Sequence, residues 1–435
     1  MQNQESTKEA PVTESHQKLL KRSSNFLRRM LSKPAWDFKQ FVVDRRGRRG
    51  RRWQFETLMK SLLYGYLTNR GSLRAVEQLT ALAFTARVAD TTLYEFVSSF
   101  TSAEVAGLRR QLHAQMRSEW RSKSLDPVGL PCGVATVDNK TVWSGPVAAA
   151  HDPHAQVVHP KDRAPYAQVR VVQTVLISAA AKPCIDQVAI EAETNECGKF
   201  AEVFAVLKEE YDALIEIYSL DAGFCSEAHG RMIAEAEKGY IFGLKGNQPE
   251  LLREAQRLLD PMPSPEWTSG WEKYQGQRLR YHLYRTTELE GYLAWSHLKQ
   301  AWRLEKEIVN SRSGAVTREN HYYLTNLHLG RLKPEQIVYA VRAHWAIENN
   351  CNWTMDVIWD EDTKVWCGQG VGIQVLGLLR VMAYNLVSHL RCRYLCRRAE
   401  GAQRKRSWRE LLDLSFLIFT SEGLGFLSAK EMKFG

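Results

Sequence analysis

The sequence lacks the features that are typical of a secreted, membrane-spanning or disulfide-stabilised protein. Its eight cysteines are scattered and form no CxxC pair, which favours reduced thiols over disulfides or a zinc site. The longest apolar stretch, residues 371–390, contains Gln374, Arg380 and Asn385 and is typical of a buried amphipathic helix. The first residues are polar and carry no apolar secretion signal. We therefore expect a cytoplasmic protein with no membrane partner.

Positive charge is abundant, with 59 Lys and Arg against 49 Asp and Glu and a net charge of +10. Much of it lies in residues 1–52, where one short run holds Arg45, Arg46, Arg48, Arg49, Arg51 and Arg52. Clustered arginine is typical of a contact with a phosphate backbone, although a solvated charge run gives the same pattern. A second basic cluster at 391–409 favours nucleic acid as the partner.

A chain of 435 residues is long enough for two or three domains. Apolar residues at helical spacing between Trp53 and Trp120, with helix-start signals at Ser72 and Ser102, indicate a helix-turn-helix-like DNA-binding domain. A plain helical packing domain is the alternative. Composition predicts six segments: a basic, partly disordered arm at 1–52, a helical DNA-binding domain at 53–125, the first part of an α/β core at 126–250, a β-rich insertion at 251–330, the second part of the core at 331–395, and a basic C-terminal tail at 396–435.

The core has the strand and helix order βββαβαβ. Strand-like runs at 133–138, 167–178 and 184–192 come first, and strands at 213–221 and 240–245 then alternate with two helices. This is the order of the RNase H-like fold, a mixed α/β architecture in which the first and fourth strands are neighbours. Asp138 and Asp221 end those two strands, so we expect their carboxylates to meet.

A third acid, Glu348, interrupts the apolar face of a helix that Pro334 opens. The face is formed at helical spacing by Val341, Trp345, Asn352 and Met355. The spacing predicts an inward carboxylate, which needs a metal ion, a cation or a proton. Arg342 or His344 could be that cation, and Asp356 near the same face could assist instead.

Three carboxylates that converge from two strand ends and a helix predict a divalent-metal site. Phosphodiester chemistry needs an activated water or 3′-hydroxyl and neutralised charge on the attacking and leaving oxygens. Two Mg²⁺ ions about 4 Å apart meet this need, Mn²⁺ can substitute, and hard oxygen ligands hold them. Asp138, Asp221 and Glu348 are the expected catalytic and metal-binding residues.

Five short segments resemble the motifs of one known family. They are VDNKT around Asp138, TNE from Thr194, LDAGFCS around Asp221, LKGNQP from Leu244 and HWAIENNCNWTMDV from His344. Together they are similar to the DDE transposases of bacterial insertion sequences, in the ISAs-type branch near the IS-four group. Asn139 departs from the family's glycine, and Cys351-Asn352 depart from its usual pair.

The resemblance implies an insertion-sequence transposase with an RNase H-like catalytic core. Such an enzyme is a magnesium-dependent endonuclease and strand transferase that cuts at the element's ends and joins the 3′-hydroxyl to target DNA. Its partner is double-stranded DNA, and synapsis implies at least a homodimer, associated with the bacterial nucleoid. Besides the arginine run, the candidate DNA contacts are Lys140, Lys245, Asn247, Gln248, Arg342 and His344.

Several alternatives stay open at this level. Arg342 and His344 could serve packing rather than phosphate binding, and the segment around Lys245 could be a simple helix-entry loop. Trp302 could stack on an unpaired base or lie in the core. For the whole chain, the alternatives are a catalytically decayed DNA-binding relic and an RNase H-like nuclease without strand transfer.

Overall fold

The computed structural model describes residues 12–47, 52–83, 87–361, 364–392 and 407–421. Within these ranges the protein is mixed α/β, which confirms the predicted class. The α-helices are α1 (Val12–Leu31), α2 (Phe55–Leu67), α3 (Leu73–Ala83), α4 (Asp90–Ser98), α5 (Ser102–Arg121), α6 (Glu196–Tyr211), α7 (Glu227–Glu235), α8 (Pro249–Leu259), α9 (Pro334–His344), α10 (Trp353–Trp359), α11 (Gly372–Leu390) and α12 (Trp408–Ser421). The β-strands are β1 (Val134–Pro146), β2 (Gln156–Val158), β3 (Tyr166–Leu176), β4 (Cys184–Ala189), β5 (Ile217–Leu220), β6 (Gly239–Leu244), β7 (Trp267–Thr268), β8 (Glu272–Tyr274), β9 (Gln277–Thr286), β10 (Gln300–Asn310) and β11 (Val316–Thr325).

The chain divides into two compact units. Unit 1 combines the described residues of 1–111 with those of 357–435, and unit 2 holds residues 112–356. The boundaries fall inside α5 and α10. Unit 1 is therefore assembled from both ends of the described sequence.

The described residues of unit 1 form helices around α2, which is buried along its whole length. This helix packs against α11, α3 and α12. Tyr64 stacks on Phe419 with 4.4 Å between ring centres, and Tyr66 stacks on Trp366 at 4.1 Å. Such aromatic pairs contribute about 0.5–1.5 kcal/mol each beyond the area they bury. By length and composition α11 could cross a membrane, but it is wholly buried, as core helices are.

One sheet of 11 strands organises unit 2. Its order is β2-β3-β1-β5-β6-β11-β10-β9-β7, with β4 paired to β3 and β8 paired to β9. β1 is antiparallel to β3 and parallel to β5, and β5 is parallel to β6. The strand that leads into Asp221 therefore lies beside the strand that contains Asp138.

The strands between residues 267 and 325 extend this same sheet. β11 pairs antiparallel with β6, with Tyr322 opposite Leu244, and β10 and β9 follow outwards. Trp302 in β10 is buried, and its indole N–H donates to Gln300 at 3.1 Å. Trp302 is thus a core residue, and the base-stacking interpretation of this tryptophan is wrong.

The helical segment that carries Glu348 is not one regular helix. α9 ends at His344, a π-helical turn covers Ile347–Asn352, and α10 follows. A π turn accommodates an extra residue and so shifts the faces of the helix before and after it. The predicted inward orientation of Glu348 is wrong for this reason, because its side chain is exposed within the π turn.

Candidate active site

Asp138 and Asp221 occupy equivalent places on two neighbouring strands. Val137 of β1 is directly opposite Leu220 of β5 in a parallel pair, and each aspartate is the next residue. Asp221 also caps the 3₁₀ turn that follows β5, since its Oδ1 accepts the N–H of Phe224 at 3.3 Å. Parallel pairing thus brings together two carboxylates that are far apart in the sequence.

His344 packs against the strands that carry the two aspartates. Its Nδ1 lies 2.9 Å from Thr136 Oγ1 and 3.1 Å from Ser219 Oγ, and Thr136 and Ser219 are a cross-strand pair. Residues two apart on a strand share a face, so Asp138 projects on the same side of the sheet as Thr136 and His344. Burial lowers the pKa of His344, although the Asp221 carboxylate opposes this effect. These contacts give His344 a packing role between α9 and the sheet.

Lys140 connects the same face of β1 to the next turns of the helical segment. Its Nζ lies 2.7 Å from Asp356 Oδ1 in α10 and 3.4 Å from the backbone oxygen of Asn352. The Lys140 side chain is only 6% exposed, which leaves little surface for a phosphate. The helical segment therefore runs along β1, held at one end by His344 and at the other by Lys140.

Glu348 lies between these two points of attachment. Its π turn contacts β1 and β3. Desolvation and then the charge of Asp221 raise the pKa of Glu348, whereas the Lys245 ammonium opposes the rise. The carboxylate of Glu348 is therefore an electrostatic neighbour of the second aspartate.

Asp138 is the most strongly affected acid of this group. Burial raises its pKa to about 7, although the Asn139 N–H donates to its Oδ1 at 2.8 Å, and the carboxylates of Asp221, Glu348 and Glu196 raise it further. Within the described residues, none of the three predicted catalytic acids forms an ion pair. Like charges that share a site and form no ion pair favour the binding of a cation.

Glu196 is a fourth acid of this site that the sequence interpretation did not assign. It lies in the first turn of α6, where the side chain of Asn195 accepts the Gly198 N–H at 2.9 Å. Its carboxylate pairs with Arg170 of β3 at 3.2 Å and still raises the pKa of Asp138. The Thr-Asn-Glu motif was the signal that could have identified it.

The segment after β6 supports the turn that follows Asp221. Asn247 Nδ2 donates to the Ala222 carbonyl oxygen at 2.6 Å, and Gln248 Nε2 donates to the backbone oxygen of Cys225 at 3.0 Å. These two amides therefore hold the 3₁₀ turn in place. Their contact with DNA stays a prediction.

Of the charged DNA contacts predicted in unit 2, Lys245 and Arg342 stay at the surface. Lys245 follows β6, and its charge acts on Glu348. Arg342 lies on α9, and its guanidinium binds both carboxylate oxygens of Glu272, at 2.6 and 2.7 Å. Lys245 is therefore an exposed cation whose charge reaches Glu348, whereas the exposed Arg342 is paired with Glu272.

The arginine run belongs to unit 1. Arg45 pairs with Glu104 at 2.7 Å and Arg46 pairs with Asp44 at 2.8 Å. Arg52 is exposed. The other members lie outside the described residues: Arg48, Arg49 and Arg51.

Within the described ranges, no three His, Cys, Asp or Glu side chains already stand close enough to hold one metal ion. Asp138, Asp221 and Glu348 are therefore neighbours that influence one another's charge rather than a preassembled set of ligands. Their donor atoms are all carboxylate oxygens, which suit Mg²⁺ or Mn²⁺ better than a thiol-preferring metal.

Curated relatives match part of this chain, whereas no family model matches it. The chain is 21% identical over 262 residues to "Putative transposase YncI" of Escherichia coli O157:H7, which covers 57% of this chain and 63% of YncI. It is 24% identical over 216 residues to "H repeat-associated putative transposase YhhI" of Escherichia coli strain K12, which covers 47% of this chain and 55% of YhhI. Both names say transposase. The chain spans less than two thirds of the length of each relative.

A solved structure also aligns with most of the chain. It is the synaptic complex of piggyBac transposase with hairpin DNA, which is 10% identical and covers 94% of this chain and 78% of that chain. The TM-score is 0.39, a value that does not establish a shared fold.

Proposed function

We propose that this protein is a DNA transposase with a three-acid site for phosphoryl transfer. The proposal depends on the parallel pairing that sets Asp138 beside Asp221, with Glu348 as the electrostatic neighbour of both. The names of the curated relatives support the same activity. The strand order β4-β3-β1-β5-β6 supports an RNase H-like core, and the sequence motifs support the ISAs-type branch near the IS-four group.

Asp138, Asp221 and Glu348 would hold two Mg²⁺ ions, with Mn²⁺ as a substitute. The residues fit this cofactor because their donors are hard oxygens and because none of the three forms an ion pair within the described residues. When bound, the metal lowers the pKa of a water or hydroxyl and stabilises charge on the phosphodiester oxygens. The protein contributes by fixing one carboxylate on β1, one after β5 and one on the π turn.

The reaction would consist of two transfers at phosphorus. Water first cleaves the DNA at an element end and leaves a 3′-hydroxyl, and that hydroxyl then attacks a phosphodiester of the target. His344 and Lys140 would keep the π turn against β1 during both steps, and Lys245 would stabilise phosphate charge beside Glu348.

The substrate would be double-stranded DNA, both the inverted-repeat ends and the target. The helices of unit 1 and the arginine run would contact the ends, since exposed arginine suits phosphate. Holding two ends together requires at least a homodimer. Such an enzyme acts on the chromosome, so we expect it in the bacterial cytoplasm, associated with the nucleoid.

A cleavage and joining assay tests this function. The purified protein is incubated with Mg²⁺, a target plasmid and DNA carrying the sequences that flank its reading frame. Nicking followed by a joined product supports the transposase. Nicking without joining would instead indicate a nuclease, and binding without nicking would indicate a decayed DNA-binding relic.

Asp221→Asn should lower the cleavage rate at least about 100-fold, because it removes one charged ligand. Asparagine retains an oxygen for the cap on Phe224, so the turn should survive. Asp212→Asn is the matched control, since Asp212 is an exposed aspartate that pairs with Lys238 at 3.0 Å. Normal cleavage by Asp221→Asn would contradict the assignment of the site.

A further inference from the structure

A groove of about 870 Å³ lies beside Glu348. Its floor is one face of β9, β10 and β11, where Tyr281 is opposite Lys306 and Lys306 is opposite Glu319. Its wall comes from α9 and the π turn, and it includes Asn349, the residue after Glu348. The groove therefore opens next to the proposed reaction centre.

Two cations of the groove, Arg342 and Lys306, form ion pairs with carboxylates of the same groove. Arg342 binds both carboxylate oxygens of Glu272, at 2.6 and 2.7 Å, and its guanidinium stacks on the Tyr281 ring at 4.3 Å. On the floor, Lys306 Nζ donates to Glu319 at 3.1 Å, and His321 Nε2 lies 4.0 Å from the same carboxylate. Arg342 and Lys306 are thus paired with carboxylates of the same groove.

These pairs are open to solvent and replaceable. Arg342 is 39% exposed and Glu272 is 44% exposed, and the Lys306–Glu319 pair has a similar exposure. Ion pairs with this exposure add little to stability, so their exchange for another anion costs little. A guanidinium fork that donates to both oxygens of a carboxylate can donate to two phosphate oxygens in the same geometry.

The electrostatics also connect the groove to the acids. In the antiparallel pair of β11 and β6, Tyr322 is opposite Leu244, so His321 of the groove floor adjoins Lys245, which follows β6. A row of cations therefore leads from Arg342 and Lys306 past His321 to Lys245. Phosphates along a DNA backbone could follow that row towards Glu348.

We propose that this groove binds the DNA backbone and that Glu272 and Glu319 act as internal phosphate mimics that the DNA must displace. This inference rests on the proposed function, because it assumes that DNA is the substrate. It adds a specific consequence: these two acids weaken DNA binding, and their removal strengthens it.

The test measures the binding of Glu272→Gln and Glu319→Gln to a fluorescein-labelled DNA duplex of mixed sequence by anisotropy over a series of salt concentrations. Each variant should bind roughly tenfold more tightly than wild type, with a salt dependence steeper by about one counterion, because one more cation becomes available to phosphate. Glu254→Gln is the matched control. Glu254 pairs with Arg257 at 2.6 Å on α8, outside the groove. Its substitution by glutamine removes the same charge as the two groove substitutions do.

A second comparison shows whether the gain in DNA affinity of Glu272→Gln depends on Arg342. In an Arg342→Gln background, Glu272→Gln should produce no gain, because the fork that it frees is absent. A gain no larger than that of Glu254→Gln, with DNA bound by wild type, would overturn the groove proposal alone. Failure of wild type and of both groove variants to bind DNA would overturn the proposed function as well.

Discussion

At the scale of single residues, Asp138 has the least favourable environment of the site. It is partly buried beside the carboxylates of Asp221, Glu348 and Glu196, and these influences raise its pKa to about 7. A charge in such a place destabilises the metal-free fold, because it loses hydration and meets like charges. This cost is expected of a residue that serves function more than stability.

Asp138→Asn should therefore stabilise the protein while it abolishes cleavage. We expect the melting temperature, measured in EDTA above neutral pH, to rise by on the order of 5 °C, because one partly buried charge beside like charges is removed. Asp212→Asn, at an exposed position, should leave the melting temperature unchanged. An unchanged or lower melting temperature for Asp138→Asn would mean that the Asp138 carboxylate does not destabilise the fold.

The identity of the candidate acids could be predicted from the sequence, whereas their surroundings could not. Asp138 and Asp221 were recognisable because each follows a strand-like run, and Glu348 because of its motif. The exposure of Glu348 was not predictable, since no hydrophobic periodicity in the sequence indicates a π turn. The ion pair of Lys140 with Asp356 and the contribution of Glu196 depend on contacts that form only in the folded chain.

At the scale of elements, the placement of the π turn depends on its attachment to β1. Lys140 provides one attachment, through Asp356 and the backbone oxygen of Asn352. The two side chains differ in exposure, 6% for Lys140 and 40% for Asp356, so the pair is partly shielded from water. It should therefore contribute more than an open surface pair does.

A double-mutant cycle on this pair should show coupling. We expect Lys140→Met and Asp356→Asn each to lower the free energy of unfolding. The double variant should lose about 1–3 kcal/mol less of this free energy than the sum of the two single losses. Both single variants should also slow cleavage, because the π turn loses an attachment. The matched cycle on Lys238 and Asp212, whose aspartate is 59% exposed, should show weaker coupling in urea unfolding. Additive effects at Lys140 and Asp356 would show that the pair does not connect the two elements.

Most elements could be predicted from hydrophobic period and caps, and the strand order predicted that β1 and β5 are neighbours, but the other pairings could not be predicted. β3, β4, β6 and the start of α9 at Pro334 lie within a few residues of their predicted positions. β1 runs to Pro146, well beyond the predicted end at Asp138, because β3 continues to pair with it. The pairing of β11 with β6 joins distant segments, and a sequence pattern that repeats every two residues does not specify which strand lies alongside.

At the scale of the whole molecule, unit 1 depends on segments from both ends of the described chain. α2 is fully buried, and its cover includes α11 and α12. A chain that ends after Asp356 should leave α2 exposed and unit 1 unfolded. Tryptic digestion should then degrade residues 12–111 faster than in the full chain, with increased binding of a hydrophobic dye. Equal resistance in both proteins would show that the N-terminal helices fold without the C-terminal ones.

The continuity of the sheet across β6 and β11 has a consequence for how related chains can diverge. Hydrogen bonds fix β11 to β6, while β9 and the short strands β7 and β8 lie at the distal edge. That edge and the turn at 311–315 lie outside the pairing of β5 with β6. The proposed DNA groove can therefore change in length and charge at this edge while β5 and β6 keep their pairing. The proposed transposase would need such modularity to keep one reaction while its DNA partner varies.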